Sequence, residues 1–162
     1  SEVYNDKSQI FYEENVKSFD DLHFNFNNEF KTIRINFLTP CRIIKNQKDI
    51  NLLSFEFLLK SILRRIKVLS YLYGNDPNKI DYESIISQSK AVRFINYDIK
   101  WEVYERYSRR QKNRMPLEGF RGYMIFEGKM ELAYPFLKIA EIVNVGKNTS
   151  FGYGAIGIDI LN

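Results

Sequence analysis

Two stretches of the sequence carry residue types that hold polyanions. The first, Tyr104 to Arg114 (YERYSRRQKNR), sets Arg106, Arg109, Arg110, Lys112 and Arg114 against a single acid, Glu105. Such a block attracts phosphates. Tyr104 and Tyr107, interleaved with the cations, add flat faces on which unpaired bases stack, which favours RNA over a merely solvated loop. The second stretch runs from Gly146 to Gly157 (GKNTSFGYGAIG), with Lys147, Asn148, Thr149 and Ser150 followed by Gly152 and Gly154. Consecutive backbone N–H groups in such a loop form a nest for phosphate oxygens. The alternative is a tight turn whose glycines only permit positive φ, and the composition supports both readings.

More specific chemistries fail on spacing or inventory. Gly152, Gly154 and Gly157 make a formal G-x-G-x-x-G, but a dinucleotide-binding fingerprint needs a following helix and an acid about 20 residues on. The sequence given stops at Asn162. Gly146-Lys147 lacks the earlier glycine of a P-loop. His23 is the only histidine and Cys41 the only cysteine, too few ligands for a zinc site of the usual composition. His23 could act as a general base, but it stands between Leu22 and Phe24 in an acidic leader. The adjacent Asp20 and Asp21 read as solvated acids, and no Ser-His-Asp set has a recognisable local signature. No catalytic residue, metal ligand or cofactor is therefore assigned.

The charge is divided along the chain. Residues 1–30 hold seven acids and two lysines, so the remainder carries +9 within a total of +4. The 162 residues fit one domain with a core of its own. With 44% hydrophobic and 27% charged residues, the composition is that of a globular protein, neither disordered nor fibrous. One cysteine cannot form an internal disulfide, no basic-then-apolar signal opens the chain, and no run of 18 apolar residues suggests a membrane span. A cytoplasmic protein is expected. The chain starts at Ser1 rather than methionine and reads as a piece of something longer.

Periodicity predicts the elements that must position these stretches. Ile33, Ile35 and Phe37 alternate with Thr32, Arg34 and Asn36, a half-buried strand stopped by Thr39-Pro40. From Leu52 to Tyr73, Phe55, Leu58, Leu59, Ile62, Leu63, Ile66 and Leu69 recur at three and four, with Gly74 placed as a cap. Pro77 marks a turn, and Asp81 can cap a short helix carrying Ile85 and Ile86. Ile95, Tyr97, Ile99, Trp101 and Val103 alternate as a second strand, with Trp101 read as core. The basic block then serves as a strand-to-strand connection. Phe120 to Phe126 is a third strand ending at Gly128, Pro135 opens a short helix with Phe136, Leu137, Ile139, Ala140 and Ile142, and Ala155 to Leu161 is the last strand. That order, βαββαβ, predicts an α+β ferredoxin-like domain over residues 30–162, with an antiparallel sheet and helices on one face. Residues 1–29 form an acidic leader, a linker or hairpin from a preceding domain.

Four pieces in order give a family resemblance over roughly residues 30 to 160. Val145 to Gly154 resembles the C-terminal glycine-rich signature of CRISPR-associated RAMP-superfamily endoribonucleases that process precursor CRISPR RNA. Arg106-Tyr107-Ser108-Arg109-Arg110-Gln111 resembles their R-Y-S-x-R-Q segment, Gly119-Phe120-Arg121-Gly122 their G-x-x-G strand entry, and Phe37-Leu38-Thr39-Pro40-Cys41-Arg42 their strand-one ending. The chain departs from the pattern at Asn144, where histidine is common, and at Ala155-Ile156, where a basic or aromatic pair is common.

The resemblance implies a pair of ferredoxin-like domains of which this is the second. It implies metal-independent cleavage, with the catalytic base in the first domain and CRISPR repeat RNA as ligand. The residues expected to bind RNA are Arg106, Tyr107, Arg109, Arg110, Lys112, Arg114, Arg121, Gly146, Lys147, Asn148, Thr149, Ser150, Gly152 and Gly154. Other CRISPR-associated proteins are expected partners, and a membrane is not. Two alternatives stay open: a non-catalytic RAMP subunit that scaffolds guide RNA, and an RNA recognition motif. For the latter, Gly119 to Phe126 resembles the third-strand aromatic signature, with Arg121 inserted and Glu118 in the basic position.

Overall fold

A computed structural model describes residues 2–6, 9–12, 32–45, 48–49, 53–73, 80–108 and 112–161. A four-stranded antiparallel sheet organises the molecule. Its strands are β3 (Thr32–Cys41), β6 (Arg93–Ser108), β7 (Asn113–Glu127) and β8 (Ile156–Leu161), in the order β6-β7-β3-β8. The helices are α1 (Phe55–Tyr73), α2 (Tyr82–Ser89) and α3 (Tyr134–Val143), and α1 packs against the other two. With α2 as an extra helix after α1, this is the βαββαβ ferredoxin-like arrangement expected from the periodicity. Two small antiparallel pairs complete the described strands: β1 (Glu2–Asp6) with β2 (Gln9–Tyr12), and β4 (Ile44–Lys45) with β5 (Lys48–Asp49). No helix among the described residues is long and apolar enough to cross a membrane.

The core lies between one sheet face and the helices, built from the positions that the two periods single out. Ile33, Ile35 and Phe37 of β3 are buried, and so are Phe120, Met124 and Phe126 of β7. The predicted α1 stripe meets them: Phe55, Leu58, Leu59, Ile62, Leu63 and Ile66 are buried, leaving only Leu69 half-exposed. Phe37 and Phe120 pack edge to face at 4.7 Å between centroids, and Phe55 meets Phe126 at 5.3 Å. Such pairs favour this geometry because the positive ring edge meets the negative face. On the opposite, open face Arg34 lies 4.7 Å from the centre of the Tyr123 ring, and Asn36 donates to Asp159 at 2.8 Å.

Local signals mark most of the boundaries. The Asp81 carboxylate caps α2 by accepting from Ser84 N–H at 3.1 Å and from its hydroxyl at 2.6 Å. These bonds to Ser84 stabilise the ionised form and hold its pKa below the ordinary value. Pro135 sits in the first turn of α3, where its missing N–H costs nothing. Gly74, Pro77, Asp20, Asp21 and His23 lie outside the described residues.

The long hairpin departs from expectation. β6 runs to Ser108 and β7 starts at Asn113, so most of the basic block belongs to the ends of two paired strands. The alternation in β6 does not mark a buried face either. Ile95, Tyr97, Trp101 and Val103 are exposed, Trp101 at 36%, which corrects its assignment to the core. β6 is an edge strand paired only with β7, and a bulge between Phe94 and Asn96 shifts its register.

Candidate nucleic-acid interface

One end of the sheet brings both phosphate-seeking stretches together. β3 stops pairing with β7 at Cys41, opposite Phe120, whereas β6 and β7 continue pairing outward from Trp101 and Phe120 to Ser108 and Asn113. Seven further residues per strand, from Gly119 to Asn113, project as a two-stranded arm of about 20 Å at the usual rise. Having no third strand beside it, the arm exposes Val103, Tyr104 and Tyr107. Lys112 stands at its tip with φ 48°. Arg114 pairs across the strands with Glu105 at 2.9 Å, both largely exposed, a contact worth well under about 1 kcal/mol. Tyr104 donates to Glu102 at 2.8 Å, and that bond to a carboxylate raises the phenol pKa. Arg121 faces the same Glu102 at 4.0 Å. Arg106 and Tyr107 thus lie on the outer part of β6, Lys112 at the tip and Arg114 on β7. Arg109 and Arg110 lie outside the described residues.

The glycine-rich loop is stitched to the end of β3 at the root of that arm. Val145 N–H donates to Gly154 O at 2.8 Å, Lys147 N–H to Arg42 O at 2.8 Å, and Gly154 N–H to Pro40 O at 2.9 Å. Ala155 N–H donates to the Thr39 hydroxyl at 2.9 Å. These bonds bring two glycines against backbone: a Cβ on Gly154 would stand 1.8 Å from Val145 O, and one on Gly146 2.5 Å from Arg42 O. Asn148, in the left-handed region at φ 62°, leads into a 3-10 turn over Thr149–Phe151, which Gly152 ends at φ 79°.

One side-chain contact ties the loop to the arm, and another ties the end of β3 to it. The Tyr153 hydroxyl donates to Leu117 O at 3.1 Å, and burial pushes its pKa up, keeping it a donor. Arg42 reaches Glu118 at 3.3 Å, and the same carboxylate accepts from Trp101 Nε1 at 3.4 Å.

Hydrogen-bond accounting divides the expected loop residues into two groups. The N–H groups of Gly152 and Gly154 donate to Thr149 O and Pro40 O, so these two shape the turn and have no donor left for a phosphate. Among the described residues, the N–H groups of Gly146, Asn148, Thr149 and Ser150 have no protein acceptor. Beside them Lys147 is exposed. The loop is therefore both a tight turn and a short nest. Cys41 offers no nucleophile, because burial pushes its thiol up to about 12 and a neutral thiol attacks poorly.

Sequence reasoning missed Leu117, Glu118 and Tyr153 as the joint between arm and loop. Tyr153, between two glycines, is the only one with a visible signal. The described residues of β7 do not present the aromatic platform of an RNA recognition motif: Phe120, Met124 and Phe126 are buried under the helices, and Arg34 covers Tyr123 on the open face.

Comparison with known proteins bears on this geometry. No curated protein matches the chain. Among solved structures, Thermus thermophilus Cas6 superposes with a TM-score of 0.58 at 14% identity, over 80% of this chain and 53% of that one. A product complex of the same Cas6 gives 0.63 at 14% identity, over 88% and 56%. A partial Cas6-RT-Cas1–Cas2 complex gives 0.59 at 16% identity, over 82% and 23%. These likenesses establish the shared fold, and the chain spans only about half the length of the Cas6 structures. The model of the CRISPR-associated endoribonuclease Cas6 family matches residues 35–156, well over half of the sequence and both halves of the interface, and the chain belongs to that family.

Proposed function

We propose that this chain is the RNA-gripping, C-terminal domain of an endoribonuclease that processes precursor CRISPR RNA, working in the cytoplasm. The observation that carries the reading is the convergence at one sheet end of the tyrosine-bearing basic arm and a loop with four uncommitted N–H groups. The arm supplies stacking faces and cations for an RNA stem or flank, and the loop supplies fixed donors for its phosphates. Cas6 structures solved with a product and with a substrate mimic support a substrate-binding role, and the Cas6-RT-Cas1–Cas2 assemblies support other CRISPR-associated proteins as partners.

Cleavage by the full-length protein proceeds by attack of a ribose 2′-hydroxyl on the adjacent phosphate. The new O–P bond displaces the 5′-oxygen and leaves a cyclic phosphate. In this reading the general base belongs to a preceding ferredoxin-like domain, as the family resemblance implies, and the buried Cys41 thiol takes no part. Backbone donors aimed at the phosphate would stabilise charge developing on its oxygens.

The test is a cleavage assay of the full-length protein on its repeat RNA in EDTA. A cut product ending in a cyclic phosphate is expected. Tight binding that leaves the RNA whole would instead identify a scaffolding subunit. The 162-residue chain alone should bind RNA and leave it uncut. Cleavage by it that disappears in His23→Ala would move the active site into the leader.

A further inference from the structure

Helix α1 has a second ordered face besides the one that builds the core. Phe57, Lys60, Ser61, Arg64 and Val68 follow one another at helical spacing along its outer side and line a groove of about 420 Å³. Arg42 to Ile44 and Gly146-Lys147 form the rest of the lining. The rise of the helix from Phe57 to Val68 gives the groove a length of about 16 Å, and the volume falls in the range of clefts that hold small ligands, roughly 300–1,000 Å³.

The lining is charged with one sign: Arg42, Lys60, Arg64, Arg65 and Lys147 are present and no carboxylate is. Three of these cations already have work. Lys60 pairs with Glu56 at 2.6 Å, Arg42 with Glu118 at 3.3 Å, and Arg65 donates to Val143 O. Arg64 and Lys147 have no partner among the described residues and both are exposed. Gly146, whose N–H has no protein acceptor, lines the groove as well. Apolar Ile43, Phe57 and Val68 lie between the cations. Cations on both walls around an apolar lining suit a ligand that alternates anion with less polar body, the pattern of a sugar-phosphate chain.

We infer that this groove holds phosphates of the RNA strand as it leaves the glycine-rich loop, with Arg64 gripping from the helix, Lys147 from the loop, and Lys60 exchanging its pair with Glu56, a solvent-exposed contact of little strength, for a phosphate. The inference rests on the RNA-binding reading of the domain and adds a path to it. The track runs from the arm, past Glu118 and Arg42, over the loop and along the outer side of α1. One strand of a duplex advances about 3.4 Å per phosphate, so a 16 Å groove accommodates more than one.

The test compares the full-length protein with Arg64→Gln, with the Lys60→Gln/Arg64→Gln pair, and with charge-retaining Arg64→Lys. Affinity for single-stranded repeat RNA is measured across a salt series. Wild type should bind, and each lost phosphate contact should flatten the log–log salt slope by about 0.7, or about 1.4 for the pair. The pair should bind about tenfold more weakly, while Arg64→Lys keeps most of the slope. Melting temperatures should not move, because both positions are exposed. If wild type binds, Lys147→Ala weakens it and the pair leaves slope and affinity unchanged, the groove is off the RNA path and suits an acidic protein segment instead. Failure of the wild-type protein to bind repeat RNA at all would overturn this inference together with the RNA-binding reading.

Discussion

The arm and the glycine-rich loop face the same ligand with opposite mechanical designs. The arm is two strands with no third beside them, its aromatic residues in solvent and its ion pairs exposed. Only its root is tied to the rest of the fold, through Leu117 and Glu118, so its outer residues are free to serve binding. The loop is locked by bonds to Pro40, Arg42 and Thr39 and closes over Val145, which is fully buried. Its donors are thereby fixed in direction, which saves the entropy of ordering them at the moment of binding. A probing surface tolerates change; a pre-set cradle does not. The contrast predicts that loop glycines couple stability to binding, whereas arm substitutions separate the two.

The strongest test of that contrast is Gly154→Ala. The new Cβ would meet Val145 O at 1.8 Å on a residue with φ 73°, so both a clash and left-handed strain apply. Thermal unfolding should show a loss of about 3 kcal/mol or more, with RNA affinity falling alongside. Unchanged stability would mean that the loop is not locked.

At the arm the expected effect is of similar size but appears only in binding. Tyr107→Ala combined with Lys112→Ala removes a stacking face, worth about 1–3 kcal/mol per base, and one phosphate contact. Affinity for repeat RNA should fall at least tenfold and the melting temperature should stay put, because both residues are exposed. A lowered melting temperature would show the arm to be part of the folding unit after all.

Gly152→Ala sharpens the comparison inside the loop. Gly152 also has positive φ, at 79°, but a Cβ there meets nothing within 4 Å. Only the left-handed penalty remains, about 1–2 kcal/mol. Its N–H is already spent on Thr149 O, so affinity measured well below the melting point should change little. A large loss of affinity would place the ligand's backbone against Gly152 itself.

How much of this was legible beforehand follows from where each residue sits. β3, α1 and α3 were readable because one side of each faces the core, so burial imposes a period on the sequence. The loop was readable because positive φ demands glycine at Gly146, Gly152 and Gly154. The arm misled for the complementary reason. β6 alternates, yet it is the edge strand with a bulge between Phe94 and Asn96, and beyond Trp101 there is no core for its alternate residues to enter, so the alternating pattern carries little information about burial. β7 before Phe120 has no clear strand pattern at all. Pro116 is tolerated there because β7 has only β6 for a neighbour beyond Gly119, where a proline costs no second ladder. The contacts of Tyr153 with Leu117 and of Arg42 with Glu118, which join the arm to the loop and to the end of β3, span long sequence separations, and no local signal encodes them.

The smallest expected effect is at Lys147, and it decides whether the loop is more than a turn. Its backbone is committed, the N–H donating to Arg42 O at 2.8 Å, while its side chain is exposed. Lys147→Ala keeps every backbone bond of the loop and removes only the ammonium, so stability should remain within about 0.5 kcal/mol of wild type. If the N–H groups of Gly146, Asn148, Thr149 and Ser150 hold a phosphate, the ammonium beside them adds a charge-assisted bond. Its removal from an exposed site should weaken binding by about 1 kcal/mol, roughly fivefold, and reduce the salt slope by about 0.7. Full affinity in this variant, with Gly152→Ala only destabilised, would reduce the loop to its structural duty and leave the arm as the sole RNA contact on this end of the sheet.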